Sequence, residues 1–197
     1  MSYTRKALAT RGRILDRAAE LIFGKGFSRT KLDEILLAAN VQKGNFYYYF
    51  ASKDDLGLAV LRERGRHLVV DYFKSLLDPR QDAKTNLASL GDKIARAAEV
   101  ANGKMNPVTK LAFELGDTSE LFRQELQSIM DDVVGILASE IERLQKQGGL
   151  AQNSNPQELA AFLFSVIEGS ILRYKATRNP EHIKRTIKLG LGVLNGM

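Results

Sequence analysis

Cysteine is absent from the 197 residues, and there are only four prolines and two histidines. Without a thiol, disulfide scaffolds, cysteine-rich zinc sites, thiol nucleophiles and thiol redox switches drop out together, and a reducing cytoplasm is the expected setting. Long apolar runs are also missing. None approaches the roughly 18 uncharged residues that a membrane span requires. Met1 to Arg13 is polar and basic, without the apolar segment and cleavage site of a secretory signal. The two histidines, His67 and His182, are far apart and have no metal-ligand spacing around them. No glycine-rich phosphate loop ending in Lys-Ser/Thr occurs, and no nucleophile elbow. An enzyme, a metal site and a bound cofactor are therefore not expected.

What is present is ordinary for one or two cored domains: 44% hydrophobic and 26% charged residues. The placement of charge is less ordinary. Residues 1–50 hold nine Lys and Arg (Arg5, Lys6, Arg11, Arg13, Arg17, Lys25, Arg29, Lys31, Lys43) against four acids (Asp16, Glu20, Asp33, Glu34). Five of the six net positive charges therefore sit in the first quarter of the chain. A basic stretch can be no more than a solvated surface. A basic head on a near-neutral body is also the electrostatic footprint of a nucleic-acid-binding domain joined to something else.

The apolar periodicity is helical throughout. Ile14, Ala18, Leu21 and Ile22 fall at i, i+4, i+7 and i+8, with Leu15 and Ala19 beside them. No stretch alternates apolar and polar residues between hairpin turn pairs, so strands are not expected. All four prolines follow Asx: Asp78-Pro79, Asn106-Pro107, Asn155-Pro156 and Asn179-Pro180. An Asx side chain caps the free N–H groups of a first helical turn, and proline next to it gives up an N–H that would be unpaired there anyway. Thr30 with Asp33, and Ser52 with Asp55, have capping-box spacing. Gly24-Lys25-Gly26 and Gly148-Gly149 release the chain from helices. The fold class expected is all-α, with about nine helices: 3–24, 31–38, 42–48, 53–77, 82–102, 107–116, 119–147, 156–177 and 181–195. Residues 1–52 form one domain in this reading and 53–197 a second.

Residues 30–50 read TKLDEILLAANVQKGNFYYYF. A short helix, the tight connection Ala39-Asn40-Val41 and a second short helix from about Gln42 make helix-turn-helix spacing. Leu32, Ile35 and Leu36 supply an apolar face for packing on the first helix, with Val41 and Phe46 filling the space between. The second helix opens on Gln42-Lys43-Gly44-Asn45, small or polar residues that suit a helix N-terminus in a DNA major groove. Gly44 lets the backbone approach, while Lys43 and Asn45 reach phosphates or base edges. Five of the fifteen aromatics follow in a row. At 100° per residue they cannot share one face. Phe46, Tyr49 and Phe50 are expected inward, and Tyr47 and Tyr48 outward with hydroxyls for phosphate. Lys53, after the cap Ser52, reads as a phosphate contact assisted by a helix N-terminus.

These residues resemble the DNA-binding domain of the TetR family of bacterial regulators. The resemblance covers residues 11–61: Leu21-Ile22-Phe23, Lys25-Gly26-Phe27, Thr30, Ile35, Ala39, Val41, Lys43-Gly44-x-Phe46-Tyr47-x-Tyr49-Phe50 and Ser52-Lys53-x-x-Leu56. It implies phosphate contacts from Thr30, Tyr47, Tyr48 and Lys53, and recognition-helix contacts from Gln42, Lys43, Gly44 and Asn45. Gln42 stands where the family usually has a serine cap, Asn45 where it often has Ser or Thr, and Tyr48 where His is common. The operator sequence is therefore not transferable from a relative.

The resemblance further implies a helical C-terminal body that forms a homodimer and binds a small-molecule effector. Leu159, Phe162, Leu163, Val166, Ile167, Ser170, Ile171 and Tyr174 make one broad apolar face, and Ile183, Ile187, Leu191 and Leu194 a second stripe. Gly169 and Ser170 are small enough for close crossing, and two such helices per subunit suit a four-helix interface. Two heads about 34 Å apart, or a multiple of that, read a palindromic operator in double-stranded DNA. Residues 103–115 and 119–123 are similar to a NemR-like subgroup of the family, whose members often carry a cysteine near the position of Asn106. This chain has none, so thiol-based sensing does not transfer. Met105, Phe113, Phe122, Phe164, Glu168 and Tyr174 are the candidate pocket residues. Glu168, an acid inside an apolar run, must be paired, bound or protonated, with Arg173 or Lys175 as candidate partners. The function expected is a cytoplasmic, ligand-responsive repressor. Two other readings stay open at this point: an architectural DNA binder without effector, and a helical module whose basic head docks an acidic protein.

Overall fold

The computed structural model describes residues 5–102, 106–151 and 153–196, and side chains through residue 193. Met105 and the side chain of Leu194 lie outside the described residues. Among the described residues the chain is all-helical, with no strand, as expected. Nine helices follow in order: α1 (Arg5–Lys25), α2 (Leu32–Ala39), α3 (Lys43–Phe46), α4, α5 (Ala83–Val100), α6 (Pro107–Leu115), α7 (Glu120–Lys146), α8 (Pro156–Thr177) and α9 (Glu181–Gly196). Helix α4 is composite. Its α-helical segments Lys53–Val60 and Arg66–Leu76 flank a π-helical turn, Leu61–Gly65.

Local chemistry explains most of the boundaries. The side-chain oxygens of Asn106, Asn155 and Asp82 accept from the N–H groups of Val108, Gln157 and Thr85 at 2.8–3.0 Å, opening α6, α8 and α5. Asn179 does the same for Glu181 at 3.0 Å. Ser52 caps α4 through Asp55 N–H at 3.0 Å. The Asp55 carboxylate returns to the N–H of Ala51 at 2.9 Å, one residue before the position expected of a capping box. The expected Thr30–Asp33 box is shifted by one residue as well. Helix α2 starts from Lys31, whose N–H donates to Glu34 at 2.8 Å, and Asp33 is exposed. Thr30 is drawn instead into the preceding turn. Helix α3 is also shorter than expected, because Tyr47–Tyr49 continue as turns.

The chain packs as two compact units. The first takes residues up to Val69 together with Asn106–Ile129, and the second takes Val70–Met105 together with Met130–Met197. In the first unit Ile14, Leu15, Ala18 and Ile22 of α1 meet Ile35, Leu36 and Ala39 of α2, and Phe46, Phe50 and Leu56, all buried. Helix α7 adds Phe122, whose ring lies 5.0 Å from that of Phe27. Gly57 fits beneath the two rings, where a Cβ would approach Phe27 to 2.4 Å and Phe122 to 2.9 Å. The π turn carries alternate charges to two neighbours. Glu63 and Arg64 pair with Arg11 and Asp16 of α1, and Arg62 and Arg66 with Glu125 of α7.

The second unit encloses a polar centre. Asn86 is fully buried and donates 2.9 Å bonds to Asp78 O and to Glu140, which Arg143 also pairs at 3.0 Å. Leu87, Leu90, Ile94, Val133, Leu137, Ile141, Leu163, Ile167, Ile183 and Ile187 of this unit are also buried.

The three-helix head depends on one side chain more than on any other. Phe46 is 0% exposed at the end of a four-residue helix that cannot persist by propensity alone. Phe46→Ala is expected to cost about 3–5 kcal/mol. Urea unfolding checks this, and a loss under about 1 kcal/mol would contradict the packing role.

Candidate nucleic-acid interface

Helix α2 ends on Asn40 in the left-handed region, φ 50°, a conformation Asn tolerates better than most residues. The N–H groups of Asn40 and Val41 turn back to the carbonyls of Leu37 and Leu36 at 3.1 and 3.0 Å. Arg13 Nε of α1 donates to Ala39 O at 2.9 Å, so the end of α2 is pinned. The chain then enters α3 through Gln42, which is extended at φ −74°, ψ 148°, with no side-chain cap.

Burial of Phe46 and Phe50 on one side leaves the opposite side of α3 in solvent. Gln42, Lys43, Gly44 and Asn45 are all exposed. Tyr47 and Tyr48 are 53% and 59% exposed, with the Tyr47 ring edge-on to Phe46 at 5.2 Å. Tyr49, expected inward, is half-buried and meets Tyr48 edge-on at 5.0 Å. Gly44 has open space around the position of a Cβ, so packing within the chain does not call for glycine there. Many of the head's cations are already engaged: Arg11 with Glu63, Arg17 with Glu20 and Lys25 with Glu34. Lys43 and Arg29 remain exposed, without an ion pair among the described residues.

Two of the expected phosphate contacts are built differently from the others. Thr30 is fully buried, and its hydroxyl donates to Gly26 O at 2.7 Å. That corrects the expectation for Thr30: its side chain shapes the α1–α2 turn and presents no hydroxyl to solvent. Lys53 is half-buried at the start of α4. Its ammonium donates to Phe27 O at 2.8 Å and lies 4.2 Å from the Phe27 ring centre.

The described candidate pocket residues divide between the two units. Phe113 and Phe122 belong to the first unit, where Phe113 is 74% exposed and Phe122 is core. Phe164, Glu168 and Tyr174 belong to the second. Phe164 meets Phe73 at 5.9 Å, and Tyr174 is buried. Tyr72 beside them has its phenol held above the usual value, first by burial and then by the negative charge of Glu168. The second unit also has an open groove of about 840 Å³, lined by other residues, among them Leu87, Ile141, Leu144, Ile187, Lys184 and Lys188.

Of the apolar residues expected for pairing, only Phe162 is exposed among the described residues. Leu159, Leu163, Ile167, Ser170, Tyr174, Ile183 and Ile187 are buried within the chain's own core. The exposed apolar residues of α8 and α9 are Phe162, Leu172, Leu189 and Val193, on the outer side of the same helices. Among the described residues no helix is long and apolar enough to cross a membrane.

Comparison with known proteins matches residues 14–60 to the model of the bacterial regulatory proteins of the tetR family, and residues 106–189 to the tetracyclin repressor-like C-terminal domain. The chain belongs to the TetR family. It is 28% identical over 172 residues to the HTH-type transcriptional repressor DhaR of Mycobacterium sp. strain GP1, covering 87% of this chain and 85% of that one. It is 32% identical to the transcriptional regulator AcuR of Cereibacter sphaeroides, covering 80% and 72%. The crystal structure of the reduced form of E. coli NemR shares the fold, with a TM-score of 0.80, 24% identity and coverage of 94% and 97%. As a TetR-family member the chain is a DNA-binding transcriptional regulator, and the matched families and relatives are regulators rather than enzymes. Members of the family bind DNA, act as dimers and respond to small molecules.

Gly44 separates folding from binding. Gly44→Ala is expected to leave stability within about 1 kcal/mol of wild type, since alanine is the better helix former. DNA binding should fall markedly, because the added methyl lies on the open side of α3. Unchanged DNA affinity in a gel-shift titration would show that no backbone approach occurs there.

Proposed function

We propose that this protein is a ligand-responsive repressor that binds a palindromic operator as a homodimer, with residues 1–52 carrying the DNA-binding function and 53–197 the effector and dimer functions. The single observation that carries the DNA side of this reading is the surface of α3. Polar and small residues and two exposed tyrosines stand over a fully buried Phe46. An exposed glycine and two largely exposed aromatic rings are poorly explained by solvent and well explained by a phosphate backbone and base edges. In this reading Gln42, Lys43 and Asn45 enter the major groove, Gly44 admits close approach, and Tyr47, Tyr48 and Lys53 hold phosphates. Lys53 retains two further N–H donors beyond the one given to Phe27 O.

In this reading the dimer contact uses the outer face of α8 and α9. Phe162, Leu172, Leu189 and Val193 would be covered by the same face of a second copy, an isologous contact. The small-molecule site is proposed within the second unit, around Tyr72, Phe73, Phe164 and Glu168, where aromatic surface and one acid come together. Helix α4 runs through both units, so an effector that favours a second conformer of α4 would alter the spacing of the two heads. Release from DNA requires the effector to bind the DNA-incompetent conformer more tightly.

Tyr47→Ala and Lys53→Ala should each weaken all duplexes about equally, and Lys53→Ala should also flatten the salt dependence, by about 0.9 in log–log slope for the phosphate its charge neutralises. Asn45→Ala should also change base preference in a binding-site selection. An unchanged preference profile would remove Asn45 from base reading. Leu189→Asp is expected to give a folded monomer in sedimentation analysis, and a persistent dimer would place the interface elsewhere.

A further inference from the structure

The turn between α1 and α2 is held from a distance in sequence. The carboxylate of Glu114, near the end of α6, accepts from the backbone N–H of Phe27 at 3.1 Å and of Ser28 at 2.6 Å. Four residues earlier on the same helix, Lys110 Nζ donates to Gly24 O at 2.8 Å and to Phe23 O at 3.3 Å. One acid and one base, a helical turn apart, thus take the free donors and the free acceptors of one reverse turn. Gly26 sits between them at φ 98°, and a Cβ there would lie 2.6 Å from Glu114 Oε2. The turn leaves no room for a side chain because the carboxylate fills it.

The same turn is what Lys53 rests on. Phe27 offers its carbonyl at 2.8 Å and its ring face at 4.2 Å to the Lys53 ammonium, and the Phe27 carbonyl also accepts from Thr30 N–H at 3.1 Å. Fixing the Phe27 and Ser28 peptides therefore fixes the seat of the ammonium. Burial alone would raise the Glu114 carboxyl. The Ser28 and Phe27 amides, with Lys110 nearby, outweigh it and hold the group below its ordinary value, so it is a carboxylate at neutral pH.

We propose that Glu114 is a positioning residue for DNA binding: through the Phe27–Ser28 turn it sets Lys53 at the phosphate backbone. The inference rests on the reading of Lys53 as a phosphate contact, and it goes beyond that reading. It gives a residue of the C-terminal family region, 106–189, a share in the DNA affinity of the head. No feature of the helix-turn-helix motif points to Glu114, since the acceptor lies 86 residues away from its nearer donor.

The test is DNA affinity over a range of salt concentrations, on duplex DNA of random sequence, for full-length wild type, E114A, E114Q, K53A and the E114A/K53A double variant. Random duplex is the right probe because non-specific binding reads phosphate contacts. E114A is expected to weaken binding about tenfold and to lower the log–log salt slope by nearly as much as K53A does, about 0.9 per phosphate. E114Q, which keeps one accepting oxygen but turns an NH₂ toward the other amide, should fall in the same direction. In the K53A background E114A should add little, since both act on one contact.

Unchanged affinity and slope in E114A would overturn the proposal. So would losses that multiply in the double variant, or a weaker affinity and lower melting temperature at unchanged slope, which would mark Glu114 as a fold stabiliser only. If E114A does not fold, E114Q supplies the same comparison. K53A without effect would overturn the phosphate reading of Lys53 as well, whereas K53A effective and E114Q silent would overturn the Glu114 assignment alone.

Discussion

The reading surface of this protein exists because Phe46 is buried. A helix of four residues has no stability of its own, since nucleation costs more than so few hydrogen bonds return. What keeps α3 in place is the anchoring of Phe46 and Phe50 among α1, α2 and Leu56. Once these two rings are fixed, the helical repeat turns Gln42, Lys43, Gly44 and Asn45 outward, and the turn that follows leaves Tyr47 and Tyr48 largely exposed. The position of each polar group that could touch DNA is therefore set by an apolar contact on the other side of a single turn.

Electrostatics refine this arrangement more than they create it. The head carries most of the chain's net positive charge, yet several of its cations serve the fold. Arg13 ties α1 to the end of α2, and Arg11 and Asp16 hold the π turn of α4. Such partly exposed pairs are each worth little in stability, and their value is geometric. They fix which way α4 leaves the head. The first unit is also not confined to the N-terminal family region, because α6 and the start of α7 are part of it. A regulator needs some such shared element if events in one part of the chain are to reach another.

Much of this was legible in the sequence, and the remainder was hidden for identifiable reasons. Three of the four Asx-Pro pairs mark helix starts because both residues act locally, through a side-chain cap and a missing N–H, while Asp78-Pro79 lies in the connection before α5. Phe46 and Phe50 are inward and Tyr47 and Tyr48 outward, as the sequence pattern expects, but Tyr47–Tyr49 are turns rather than helix and Tyr49 is only half-buried. Thr30 was misplaced because its hydroxyl is buried and donates to Gly26 O in a turn made by a positive-φ glycine, which the spacing to Asp33 does not reveal. The π turn left no pattern, since an extra residue in one turn disturbs the apolar period too little to be seen. The apolar faces of α8 and α9 hold buried and exposed residues side by side, and the helical period alone does not tell which turn inward. Glu114 was invisible as a turn-holder for the plainest reason, that its partners are backbone amides and carry no side-chain signature.

The central claim is that α3 reads DNA sequence as one half of a symmetric pair. Selection of bound duplexes from a random library, at about 0.15 M salt where weak non-specific attraction is largely screened, tests it most directly. The account predicts a palindromic consensus whose half-sites are about one helical turn, or a small multiple of it, apart. Tight binding with no consensus would contradict it and make the protein an architectural DNA binder.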